Sequence, residues 1–159
     1  MSKLLLLPLM VFAFAAYAND HSSCPHHSEH QKMVEQNGDR VMGFDHTKTT
    51  HHFLLKPDGG VVLADAIDPK DRQSVEQIRL HFVEIAKMFS NGEFSKPREI
   101  HGEIPPGVPE MIELKDSISY TFQERENGGE VLISSKDDRA IQAIHSFLRF
   151  QIEEHHTGD

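Results

Sequence analysis

A single cysteine, Cys24, leaves the chain without an internal disulfide, so the fold must rest on its apolar core alone. Basic residues are also scarce. There are 16 Lys and Arg against 25 Asp and Glu, a formal net charge of −9 with neutral histidine. Phosphates and anionic lipid surfaces would be repelled, which excludes nucleic acid as a partner, whereas cations would be attracted. Long apolar runs are missing after residue 18, so no membrane insertion is expected once the leader described below is removed. The familiar catalytic signatures are missing too: no G-x-S-x-G, no H-E-x-x-H, no phosphate-binding loop and no C-x-x-C-H for covalent haem.

The leader is residues 1–18. Lys3 supplies the positive start, residues 4–16 are apolar except for Pro8, and Ala16-Tyr17-Ala18 before Asn19-Asp20 is an A-x-A cleavage signal. The run is too short to span a bilayer and has the flanks of a signal peptide. The expected address is periplasmic or secreted, as a soluble protein. Residues 19–32 form a polar lead expected to be a flexible arm, and residues 33–159 are one domain's worth of chain.

What the chain has in excess is histidine, twelve in all, all after the leader. Imidazole binds metals and moves protons near neutral pH. Three of the twelve fall in Phe44-Asp45-His46-Thr47-Lys48-Thr49-Thr50-His51-His52-Phe53, which runs into the first apolar segment.

The pattern predicts two β-hairpins, each followed by a long helix. Residues 50–56 and 61–66 flank Pro57-Asp58-Gly59-Gly60; residues 117–125 and 130–135 flank Asn127-Gly128. A turn at Asp58-Gly59 would put His52 opposite Asp65 and Phe53 opposite Ala64. A turn at Asn127-Gly128 would put Phe122 opposite Ile133 and Tyr120 opposite Ser135. Alternation sends His51, Phe53 and Leu55 to one face, and His52, Leu54 and Lys56 to the other. The apolar face of the second hairpin is Tyr120, Phe122, Val131 and Ile133. Asp68-Pro69 would start a helix carrying the stripe Val75, Ile78, Phe82, Ile85, Ala86 and Phe89, with His81 at its edge. Asp137 or Asp138 would cap a second helix to about His156, with the stripe Ile141, Ile144, Leu148 and Ile152. His145 lies inside that stripe and His155 continues it. The stretch between is expected to be irregular, holding His101 and Pro105-Pro106-Gly107-Val108-Pro109, with a short helix over residues 109–115. A short helix up to about Asn37 is expected near the start.

The fold class is therefore α+β: two layers, a mainly antiparallel four-stranded sheet with both long helices on one face, in ββα-ββα order. The two halves share a Gly-Gly pair and an Asp-Arg pair near each helix start, which suggests a duplication.

The candidate metal ligands are His46, His51, His52, His81, His101 and His145, with Asp65 expected to orient His52 from outside the coordination sphere. Adjacent strand residues diverge, so His51 and His52 cannot serve one ion. His51, His81 and His145 are expected on faces that point into one core, where each buried imidazole needs a partner. The bland alternative is a set of exposed or singly hydrogen-bonded imidazoles. Cys24, His26, His27 and His30 in the arm form a second, accessory set, of a type that suits copper or zinc. Cys24 could instead form an intermolecular disulfide and so a homodimer.

Met42-Gly43-Phe44-Asp45-His46-Thr47-Lys48-Thr49-Thr50-His51-His52-Phe53, Pro105-Pro106-Gly107-Val108-Pro109 and Phe147-Leu148-Arg149-Phe150-Gln151-Ile152 ahead of His156-Thr157-Gly158-Asp159 resemble a group of small exported bacterial proteins. The resemblance carries no function and no site residue with it.

The leading expectation is an exported protein that binds copper or zinc in metal handling or tolerance. The alternatives are a small exported enzyme in which His51 or His52 works with Asp65 or a metal, and a binding domain made pH-responsive by its histidines.

Overall fold

A computed structural model describes residues 25–159 of the chain, without the side chains of residues 25–28. The leader and Cys24 lie outside the described residues. Four strands form one antiparallel sheet in the order β1-β2-β4-β3: β1 Thr49–Lys56, β2 Gly59–Ala66, β3 Ile118–Arg125 and β4 Gly128–Ser135. Among the described residues five α-helices accompany it: α1 Pro25–Met42, α2 Arg72–Ser90, α3 Ser95–His101, α4 Val108–Glu113 and α5 Asp138–His155. The α+β class and the ββα-ββα order hold.

The helices form for local reasons. Asp71 caps α2 by accepting from Ser74 N and Ser74 Oγ, and Asp137 caps α5 by accepting from Arg139 N and Ala140 N. Helix α2 thus starts three residues later than Asp68-Pro69 suggests; Asp71 N–H bonds back to Asp68 O in a turn instead. The stripe of α2 is buried in a core centred on Ile78, Met111, Ile133, Ile144 and Leu148. Of the expected α5 stripe only Ile144 and Leu148 are fully buried, joined by Ala140, Ala143, Phe147 and Gln151, with Ile141 and Ile152 half-buried at the margin. Each long helix packs mainly on the hairpin of the other half: α2 lies over β3 and β4, and α5 over β1 and β2.

Both hairpin turns fall one residue earlier than expected, which moves every cross-strand partner by two. The two-residue loops are Pro57-Asp58 and Glu126-Asn127, and the Gly-Gly pairs open the return strands. The cause is non-local. β2 and β4 are central neighbours, and Asp58 O accepts from Ser135 N while Asn127 O accepts from Ala66 N, so each turn extends the pairing of the opposite hairpin. Glycine is required there because a Cβ at Gly59 would come within 2.1 Å of Ile133 O, and one at Gly128 within 2.0 Å of Ala64 O. His52 therefore faces Leu63, Phe53 faces Val62, Phe122 faces Val131 and Tyr120 faces Ile133. A slip of two leaves every side chain on its expected face, since the pleat repeats every two residues.

Two further corrections concern helices. Part of the expected arm, from Pro25 on, belongs to α1, which continues past Asn37 to Met42. The stretch expected to be irregular contains α3, ended by Gly102 in the left-handed conformation (φ 74°).

Gly128 has no unusual φ, so its substitution tests the close approach alone. Gly128→Ala is expected to lower the urea midpoint by an amount equivalent to about 1–3 kcal/mol, as overpacking does, through separation of β2 from β4.

Candidate functional site

The histidines assemble where α5 crosses back over the first hairpin. His51 on β1, His81 on α2 and His155 on α5 line one narrow cavity of about 60 Å³, otherwise largely apolar, with Phe53, Met42 and Gln151. The Phe44 ring contacts both His51, at 5.4 Å between centroids, and His81, at 5.5 Å. His51 and His155 lie nearly parallel at 6.2 Å, and His155 meets His101 edge-on at 5.2 Å.

Burial sets the charge of this group. It pushes His51 down to about 4, helped by repulsion from His52 and His46. It pushes His81 and His155 to about 3, with Lys96 adding repulsion at His81 and His101 at His155. His101 is lowered by burial as well, opposed by its bond to Gln151 and by Glu154. All four imidazoles are thus neutral at pH 7. His51 Nε2, His81 Nδ1 and His101 Nδ1 are buried without a hydrogen-bond partner, as is Gln151 Nε2. A buried polar atom left unpaired costs about 1–3 kcal/mol.

The remaining candidates stand elsewhere. His145 is not in the shared site: it is on the flank of α5, where Nε2 bonds Lys56 O at 2.9 Å. The buried face of α5 runs through Ala140, Ala143, Ile144, Phe147, Leu148 and Gln151, and His145, one residue or about 100° beyond Ile144, falls off it. His101, at the end of α3, sits behind the cavity with Nε2 on Gln151 Oε1 at 3.1 Å. His52 does not meet Asp65. Its Nδ1 bonds Asp159 Oδ1 at 2.8 Å, and Phe53 N donates to the other oxygen of that carboxylate at 2.9 Å. Asp65 pairs instead with Arg125, which also binds Glu130. His46 holds Asp39 through Nδ1 at 2.9 Å.

Among the described residues, Asp39, Asp45 and His46 are the one group of three His, Cys, Asp or Glu whose donor atoms lie within 4.8 Å of one another. Each already has local work: Asp45 Oδ1 caps a 3₁₀ turn (His46–Lys48) by accepting from Thr47 N, and Asp39 Oδ1 accepts from His46 N. The interior histidines, though neighbours, contain no such triple.

His30 of the expected accessory set bonds Glu154 at 2.6 Å, fastening α1 to α5. The side chains of His26 and His27, like Cys24, fall outside the described residues. Beside the inner cavity lies a wider cleft of about 320 Å³ between α1 and the free edge of β1, lined by Glu35, Thr50, His52 and Thr157. Met42, His51 and His155 line both spaces. His155 was legible only as a residue on the α5 stripe; its meeting with His51 depends on α5 crossing to the other hairpin.

Comparison with protein-family models, with curated proteins and with solved structures gives no match.

The buried imidazoles predict a pH dependence. Between the ordinary histidine value of 6.5 and about 4, the unfolded chain takes up protons at His51, His81 and His155 that the folded chain refuses. Stability is therefore lost as pH falls from about 7 to about 4, by up to roughly 1.4 kcal/mol per pH unit for each imidazole. Urea midpoints at pH 7, 6 and 5 should show this fall, and His81→Asn should flatten its slope by about one proton.

Proposed function

We propose that this chain is an exported, soluble protein that binds a copper or zinc ion through its interior histidines and serves metal handling outside the cytoplasm. One observation carries the proposal: neutral imidazoles with unpaired, buried nitrogens surround a single cavity. A neutral imidazole nitrogen is the form that coordinates a metal, and the unpaired atoms are stabilised by any occupant that accepts their lone pairs. The acidic surface favours approach of a cation, and the leader-like residues 1–18 support export.

A second reading, a small exported enzyme, is favoured by the pair His52–Asp159. The carboxylate holds Nδ1 and is itself fixed by Phe53 N–H, so the other ring nitrogen is the free acceptor beside the open cleft. That is how a general base is oriented, with Asp159 where Asp65 was expected.

The mature protein, purified from the periplasm and analysed by native mass spectrometry, is expected to retain or take up about one equivalent of copper or zinc. His51→Ala should abolish that uptake, and deletion of residues 19–24 should leave it unchanged. Absence of stoichiometric uptake, with the cavity holding water alone, would overturn the proposal.

A further inference from the structure

The geometry points to copper(I) as the ion, held by Met42, His51 and His155 at the junction of the cleft and the inner cavity. This rests on the metal-binding proposal above and names its ion and ligands. The three residues come from α1, β1 and α5, and they are the ones that line both spaces. His51 offers a buried Nε2 with no hydrogen-bond partner, and the His155 ring lies 6.2 Å away at 17°. Met42 adds a thioether. Its terminal methyl lies back against Gly38 one turn earlier, where a Cβ would stand only 3.0 Å from it, so the glycine leaves room for the sulfur-bearing arm.

Three features choose the ion. The first is the donor set: two imidazoles and a thioether are soft, and they suit copper(I) over the harder divalent ions. The second is coordination number. A structural zinc site wants four nitrogen, sulfur or carboxylate ligands, and the interior histidines do not form even a tight triple, that arrangement being confined to Asp39, Asp45 and His46 on the surface. Copper(I) is satisfied with fewer ligands.

The third is charge. The inner cavity is lined by neutral donors, apolar side chains and Lys96, with no carboxylate. Charging cost in such a medium grows with the square of the charge, so a divalent ion costs about four times as much as a monovalent one. Lys96, paired with Glu84 at 2.8 Å, lies on the His81 side and repels a cation there. That places the ion at His51 and His155 rather than at His81. Glu35 on the cleft, already bonded to Gln31, is the nearest lining carboxylate on the entry side.

The test is anaerobic titration of the mature protein with copper(I) in competition with a chromophoric copper(I) chelator, with silver(I) as a redox-inert analogue and zinc(II) in parallel. One equivalent of copper(I) and of silver(I) is expected. Met42→Leu, which conserves volume and keeps the fold, should weaken copper(I) about tenfold or more and remove the sulfur scatterer from the copper X-ray absorption spectrum. Zinc(II) binding in preference to copper(I), with the same dependence on His51, would overturn the choice of ion and leave metal binding standing. Copper(I) binding that is unchanged in Met42→Leu would overturn the ligand set. No uptake of any of the three ions would overturn both proposals.

Discussion

The pairing of β2 with β4 is the constraint on which the rest of the molecule depends. Two hairpins that met side by side through ordinary residues would leave their turns free. Here a carbonyl of each turn accepts from the far strand, Asp58 O from Ser135 N and Asn127 O from Ala66 N, and the backbones come close enough that only glycine fits at Gly59 and Gly128. The sheet is thereby built about its centre rather than from its ends. The β1–β2 and β3–β4 hairpins then sit symmetrically outward, each eight residues a strand, each preceded by a 3₁₀ turn. The suggested duplication gains a structural counterpart in that symmetry.

From that centre the helices have little choice. A helix that leaves β2 and covers β3 and β4, and another that leaves β4 and covers β1 and β2, bury the whole apolar face with short connections. The crossing brings the end of α5 over β1. His155 thus reaches His51, residues far apart in sequence, while α1 and α3 close the same corner through Val34, Ile100 and His101. The cost of collecting imidazoles in this corner is their desolvation, and it is met by keeping them uncharged.

The sequence was informative wherever the deciding force was local. Capping aspartates, helical stripes and strand alternation put the elements in order, and His51 on the inner face follows from counting by twos. It was silent where partners are distant. Asp58-Gly59 is a good local turn, but the pairing of β2 with β4 pulls the glycines into the strand. His52 finds Asp159 across 107 residues rather than Asp65 in its own hairpin. His145 and His155 ride the same helix with opposite fates, because ten residues make about 2.8 turns and leave the two roughly 80° apart around the axis. The unpaired nitrogens at His51, His81 and His101 could not be read from composition at all; they exist only once the corner is closed.

The carboxylate of Asp159 has a consequence beyond its hold on His52. β1 is a border strand, with β2 on one side and, among the described residues, no strand on the other. Such a border offers its backbone amides as a template for strand addition by a second chain. By taking up the Phe53 amide, Asp159 removes a donor from the middle of that border. It also lays the chain from His156 to Asp159 across the approach. The border on the side of the histidines thus offers one amide fewer to an incoming strand.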